Sequence, residues 1–165
     1  VNIRLSVHAD VSLDAPAVIR PAVAHDADAI TEVFLASRAT AMPWLPDLHT
    51  DAETRWWVEH VVLAECTTWL ATDPDGSVVG FAARRGSLLE HLYLRPDRRR
   101  QGIGGLLLDQ LRAERSDGLT LHVFARNTAA RAFYERAGAR VLATGDGSAN
   151  EEGLPDVTYG WTPQT

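Results

Sequence analysis

The chain has 165 residues, 45% hydrophobic and 23% charged, which bounds it to one ordinary globular domain able to bury a core. Its net charge of -6 argues against a general nucleic-acid binder, which presents a basic face. A lone cysteine, Cys66, excludes an internal disulfide and suits a reducing compartment such as the cytoplasm, and no apolar run is long enough to cross a membrane.

Residues 1–16 lack the basic start and apolar stretch of a signal peptide and read as a loosely held, disordered arm ahead of a single domain over 17–165. Residues 17–22 read as a strand. Ile30, Val33, Phe34 and Ser37 at helical spacing predict a helix over 25–39. A Pro-containing loop follows, and Thr50 with Glu53 forms a capping-box pattern before a second helix over 54–65. Residues 67–73 and 77–84 predict a hairpin around Asp73-Pro74-Asp75-Gly76, and a turn at Arg85-Gly86 leads into a strand over 88–94. A basic turn, 95–100, then opens through Gly102, Gly104 and Gly105 into a helix reaching about residue 115. Its predicted inner face is Ile103, Leu106, Leu107 and Leu111. A strand over 119–125 and a helix over 127–137 follow, the latter facing inward through Ala130, Phe133, Tyr134 and Ala137 and stopped by Gly138. Two more strands, 139–144 and 156–161, flank a loop over 145–155 rich in Gly, Ser and acids. Its glycines predict a mobile segment that closes over a substrate.

The glycine turn is the most informative feature. The first N–H groups of a helix have no partner within it, and the helix dipole is positive there, so the turn suits a phosphate or pyrophosphate. A Walker-type loop needs Lys and Ser or Thr after its last glycine, but here Gly105 and Leu106 follow Gly104. A dinucleotide fingerprint needs a third glycine where Leu107 stands, and an acid ending the next strand, which instead ends in Phe124, Ala125 and Arg126. The run Arg99-Arg100-Gln101-Gly102-Ile103-Gly104 matches the pattern Arg/Gln-x-x-Gly-x-Gly/Ala, and 125–140 reads ARNTAARAFYERAGAR. On these two segments, in this order of elements, the chain resembles the GNAT superfamily of N-acetyltransferases over roughly residues 19–161. One departure is Ala139, where relatives usually carry an aromatic.

The resemblance implies an α+β fold: a mixed, mostly antiparallel sheet of about seven strands flanked by four helices, splayed between the fourth and fifth strands. It implies acetyl-CoA as co-substrate, its pyrophosphate on the turn from Arg99 and Arg100 through Gln101, Gly102, Ile103, Gly104 and Gly105. The pantetheine arm would pair with the backbone of Leu92, Tyr93 and Leu94, and Asn127 would either bond that arm or cap its helix. Tyr134 is the implied proton donor to the leaving sulfur. Glu90 is the implied base, with His91 as a rival. Strand alternation places Leu88, Glu90, Leu92 and Leu94 on one side, and Leu89, His91 and Tyr93 on the other.

The acceptor cleft implied by the fold draws on Trp44, Trp56, Trp57 and Trp69 and on acids of the late loop. A small-molecule amine or a peptide N-terminus is the expected acceptor, attacking directly in a ternary complex, since Cys66 stands in no ping-pong motif. The histidines are scattered and predict no metal. No nucleic acid or membrane partner is expected, and a homodimer is the implied assembly. Two other readings stay open: a non-catalytic coenzyme A-binding sensor, and an acyltransferase with a different acyl donor.

Overall fold

The computed structural model describes residues 17–162, and the arm expected over 1–16 lies outside them. Strand β1 (Val18–Pro21) passes through a 3-10 turn, Ala24–Asp26, into α1 (Ala27–Ala41). Asp26 fixes this corner. Its carboxylate accepts the Val23 N–H at 2.8 Å and pairs with Arg20 at 2.8 Å. The Arg20 guanidinium holds the Asp26 carboxyl below the usual carboxylate range.

Helix α2 begins as Asp51–Trp57, widens into a π-helical stretch, Val58–Val62, and closes with one turn, Leu63–Glu65. The capping box forms as expected. Thr50 Oγ1 accepts the Glu53 N–H at 3.1 Å, and the Glu53 carboxylate accepts the Thr50 N–H at 2.7 Å.

Strands β2 (Thr67–Thr72), β3 (Val78–Arg85) and β4 (Leu88–Leu94) form the expected antiparallel meander. Helix α3 (Ile103–Ala113), β5 (Thr120–Phe124), α4 (Thr128–Arg136), β6 (Arg140–Gly145) and β7 (Asp156–Gly160) follow. The seven strands lie in the order β1-β2-β3-β4-β5-β7-β6. Neighbours are antiparallel except β4 and β5, which run parallel and pair only at Leu88↔Thr120 and Leu89↔Leu121. Beyond Leu89 the two strands part. This is the mixed, splayed sheet that the sequence resemblance implied.

Helices α1 and α2 cover one face, burying Ile30, Val33, Phe34 and Val58 against Leu70 and Phe81. Helices α3 and α4 cover the other, with Ile103, Leu107, Leu111 and Tyr134 against Val79, Leu121 and Val157. Each fully buried aliphatic side chain contributes about 1.5–3 kcal/mol. No helix among the described residues is long and apolar enough to cross a membrane.

Two expectations from periodicity are corrected. Leu106 is 40% exposed while Leu108 is buried, so the inner face of α3 runs through Ile103, Gly104, Leu107, Leu108 and Leu111. The face is centred between two i, i+4 ridges, and Leu106 lies outside both. In β4 the strict alternation fails. The β3–β4 register shifts so that Ala83 pairs with His91 and Arg84 with Leu89, which leaves Glu90 as the extra residue of a bulge. Leu89 therefore packs with Leu92 and Leu94 on the α3/α4 side, while Tyr93 packs on the α1/α2 side.

Candidate active site

The parting of β4 from β5 opens a cleft into the sheet. Glu90, His91, Leu92 and Tyr93 line one wall and His122, Phe124 and Asn127 the other, with Tyr134 and Met42 also on its surface. From Glu90 onward, the backbone groups of β4 that would face β5 have no strand partner. They are available to an extended ligand, which would lie there like an added strand.

Strand β4 ends at Leu94 and leads directly into the glycine turn. Arg100 has φ +60° and Gly102 φ +80°. A non-glycine residue held left-handed costs about 1–2 kcal/mol, and such reversals turn successive N–H groups to one side as an anion cradle. The first backbone bond into α3 is Leu106 N–H to Gly102 O at 3.2 Å, so the N–H groups of Ile103, Gly104 and Gly105 remain unused by the helix.

The two later glycines differ. A Cβ on Gly104 would meet the Phe133 ring at 3.3 Å, whereas one on Gly105 would meet nothing within 4 Å. Gly104 thus lets the helix start approach α4, and Gly105 keeps the mouth of the turn open.

The arginines of the turn divide the same way. Arg95 bonds Asp97, and Arg98 pairs with Asp73 and bonds Gln101. Arg99 donates to Ser37 O and Oγ at 3.3 Å, tying the turn to α1. Among the described residues Arg100 has no side-chain partner. The sequence showed a basic turn over 95–100; within it Arg98 and Arg99 brace the turn.

Tyr134 is 8% exposed and sits in the α3/α4 core, its ring edge-on to Phe133 at 5.1 Å. Burial, with the Tyr93 hydroxyl nearby, pushes its phenol above the ordinary value. The group keeps its proton at neutral pH and can donate it in a hydrogen bond. Asn127 caps α4, its Oδ1 accepting the Ala130 N–H at 3.2 Å, and also faces the cleft.

Because of the bulge, Glu90 and His91 are neighbours rather than residents of opposite faces. Glu90 Oε2 lies 3.8 Å from His91 Nε2, and Oε1 lies 3.3 Å from Arg85 Nε. His91 packs among Phe34, Trp57, Phe81 and Tyr93. Burial, with Arg38 and Arg85, lowers its pKa to about 4, so the ring is neutral at pH 7. Burial pushes the Cys66 thiol up, which makes it a poor nucleophile. The sequence placed Arg85 in a turn and gave it no part in the site. It faces Glu90 across the β3–β4 turn, a pairing legible only once the bulge is known.

Of the tryptophans assigned to the cleft, Trp44 and Trp57 pack beside residues that line it, Phe124 and His91. Trp44 stands edge-on to Phe124 at 5.8 Å, with Arg126 over its ring at 5.1 Å, and Trp57 packs on Phe34. Trp56 is 58% exposed and stacks on His60, and Trp69 packs on the opposite side of the sheet.

The loop between β6 and β7 is built rather than slack. Asn150 bonds Leu154 in both directions, at 2.7 and 3.2 Å, and Gly147 packs against the backbone of Gly153. Glu152 pairs with Arg38 at 3.3 Å and Glu151 with His49 at 2.5 Å, anchoring the loop to α1 and to the segment before α2. The segment whose glycines predicted a mobile flap is, in this structure, bonded to itself and tied to α1. Among the described residues no cluster of three His, Cys, Asp or Glu is arranged to hold a metal.

A family model described as an acetyltransferase (GNAT) domain matches residues 64–138. The peptidyl-lysine N-acetyltransferase YjaB of Salmonella typhimurium is 34% identical over 93 residues, which span 56% of this chain and 62% of that protein. YjaB of Escherichia coli is 31% identical over 107 residues, covering 63% of this chain and 71% of that protein. Among solved structures, apo YjaB from Escherichia coli superposes with a TM-score of 0.76 at 21% identity, covering 91% of this chain and 100% of the other. The Salmonella typhimurium protein yncA, solved with acetyl-CoA, has a TM-score of 0.69 at 19% identity over 92% of this chain and 96% of its own.

Proposed function

The chain belongs to the GNAT superfamily of acetyltransferases, and we propose that it moves an acetyl group from acetyl-CoA to a primary amine, the side-chain amine of a peptide-borne lysine. The observation that carries this reading is the continuity of the left-handed glycine turn with the splayed cleft that Tyr134 and Glu90 line. The diphosphate sits on the free N–H groups of Ile103, Gly104 and Gly105, with Arg100 beside it. The pantetheine arm lies along the unpaired edge of Leu92, Tyr93 and Leu94, reached by Asn127. The lysine acceptor follows the two YjaB relatives, both named peptidyl-lysine N-acetyltransferases.

Acetyl-CoA supplies an activated thioester. The residues of the chain handle the protons. A lysine amine has a pKa near 10.4, so at pH 7.4 freeing its lone pair costs about 4 kcal/mol. Glu90 takes that proton. The amine nitrogen then bonds to the acetyl carbon as the carbon–sulfur bond breaks. Tyr134 donates a hydrogen bond to the sulfur as its charge develops. A phenol above 10 does not surrender its proton outright to a thiolate whose acid has a pKa near 8.5, so the tyrosine's gain is confined to stabilising the transition state. Holding both reactants in line removes the need for a covalent enzyme intermediate.

The test is release of free coenzyme A thiol on mixing purified protein with acetyl-CoA and, separately, lysine peptides, peptides with only a free N-terminus, and small amines. Turnover on lysine peptides that falls by about a hundredfold in Tyr134→Phe, with little change in KM, is the expected result. Saturable acetyl-CoA binding without turnover on any acceptor would instead favour a sensor.

A further inference from the structure

We infer that His91 works with Glu90 as one proton-handling pair, accepting a hydrogen bond from Glu90 once that carboxylate has taken the amine's proton. This rests on the reading of Glu90 as the base. Both ring nitrogens of His91 are closed to solvent and have no hydrogen-bond partner among the described residues. The ring is boxed by aromatics, with centroids of Trp57 at 5.0 Å, Tyr93 at 6.2 Å, Phe34 at 6.3 Å and Phe81 at 6.4 Å. Packing alone favours a phenyl ring here, since an orphaned buried nitrogen is a penalty that phenylalanine avoids. A buried polar group that costs the fold stability calls for another explanation.

The explanation lies 3.8 Å away. At that distance Glu90 Oε2 and His91 Nε2 do not hydrogen-bond, and an ionised carboxylate has no proton to donate. Arg85 occupies Oε1, so Oε2 is the oxygen left to receive a proton. When the amine's N–H bond breaks and an Oε2–H bond forms, Glu90 becomes a donor facing a neutral imidazole that, in its Nδ1–H tautomer, has its free lone pair on Nε2. A small side-chain rotation closes the gap to an ordinary O–H···N bond. Loss of the proton to solvent with the product restores both groups. The pair's other charged and titratable neighbours are Arg38 from α1, Tyr93 on β4, Arg85 on β3, Cys66 after α2 and, through Arg85, Glu65. His91 is therefore a positioning residue that holds the base in its protonated form.

The experiment compares H91F, H91L, H91Q and E90Q, each assayed for kcat across the pH range with acetyl-CoA and a lysine peptide, alongside thermal melting. H91F should melt no lower than the parent, lose at least about tenfold in kcat, and show its acidic limb displaced to lower pH, because protonated Glu90 has lost its acceptor. H91Q, whose amide oxygen can accept, should recover part of the rate. Unchanged kcat and pH profile in H91F, with E90Q slow, would overturn the pairing and leave His91 as core. Full activity in E90Q would instead defeat Glu90 as base, and the pairing with it. If both H91F and H91L lose the fold, the imidazole is structural and the inference fails.

Discussion

Replacing Gly105 with Glu is the sharpest probe of the phosphate site, because the structure separates charge from packing there. A Cβ at Gly105 meets nothing within 4 Å, so the new side chain leaves the backbone into open space. At the third helical position, Glu should also suit the helix dipole and replace a poor helix former, raising stability by about 0.5–1 kcal/mol. Take a separation of about 8 Å between its carboxylate and a diphosphate held on the first turn. At an effective dielectric near 20, Coulomb's law gives roughly 2 kcal/mol of repulsion per charge. Physiological salt, with a Debye length of about 8 Å, cuts this by about e-fold. Two phosphate charges then give about 1.5 kcal/mol, or close to tenfold in Kd. Calorimetric titration with acetyl-CoA should show that loss at physiological salt, a larger one at low salt, a smaller one at high salt, and none with pantetheine, which carries no diphosphate. Gly104→Ala is the contrast: its Cβ presses on Phe133 at 3.3 Å, so its first effect is on melting temperature. A more stable G105E that binds acetyl-CoA as tightly as the parent would refute the placement of the diphosphate.

Gly147→Ala should raise the acceptor KM by about tenfold while leaving the acetyl-CoA Kd within about twofold, a large loss for a distant loop. Its φ is +95° and an added Cβ would fall 2.5 Å from the Gly153 carbonyl carbon, which opens the loop that carries Glu151 and Glu152. Steady-state kinetics with each substrate varied would show it, and an unchanged acceptor KM would remove the loop from the acceptor site. Asp26→Asn should destabilise the protein by about 1 kcal/mol at pH 7, a modest figure because the Arg20 end of the pair is open to water. Arg20 lowers the Asp26 pKa, so this contribution is complete above the unfolded value of about 3.9 and disappears as pH falls through the lower folded value. Urea unfolding should therefore show the two proteins converging in strong acid, and a gap that persists there would assign the effect to packing.

Local chemistry in the sequence carried further than its periodicities. Thr50 and Glu53 named a helix start correctly because a capping box needs only residues three apart. Gly102 and Gly104 named the turn because a left-handed cap and a close helix approach leave few other choices. Leu106 misled because two adjacent ridges of α3, rather than one stripe, face the sheet. The bulge at Glu90 left no trace in the pattern, since one inserted residue looks like ordinary alternation until its partner strand is known.

By itself, then, the sequence determined the order of elements, the glycine turn and the family, all of which rest on neighbours within a few residues. Which arginines brace the turn, which tryptophans reach the cleft, and that Glu90 stands beside His91 were decided by the folded chain. Those relations depend on how separate strands and helices meet, even for the consecutive Glu90 and His91, whose side chains are set by the register of β4 on β3, and their geometry exists only once β3, β4 and α1 have packed together.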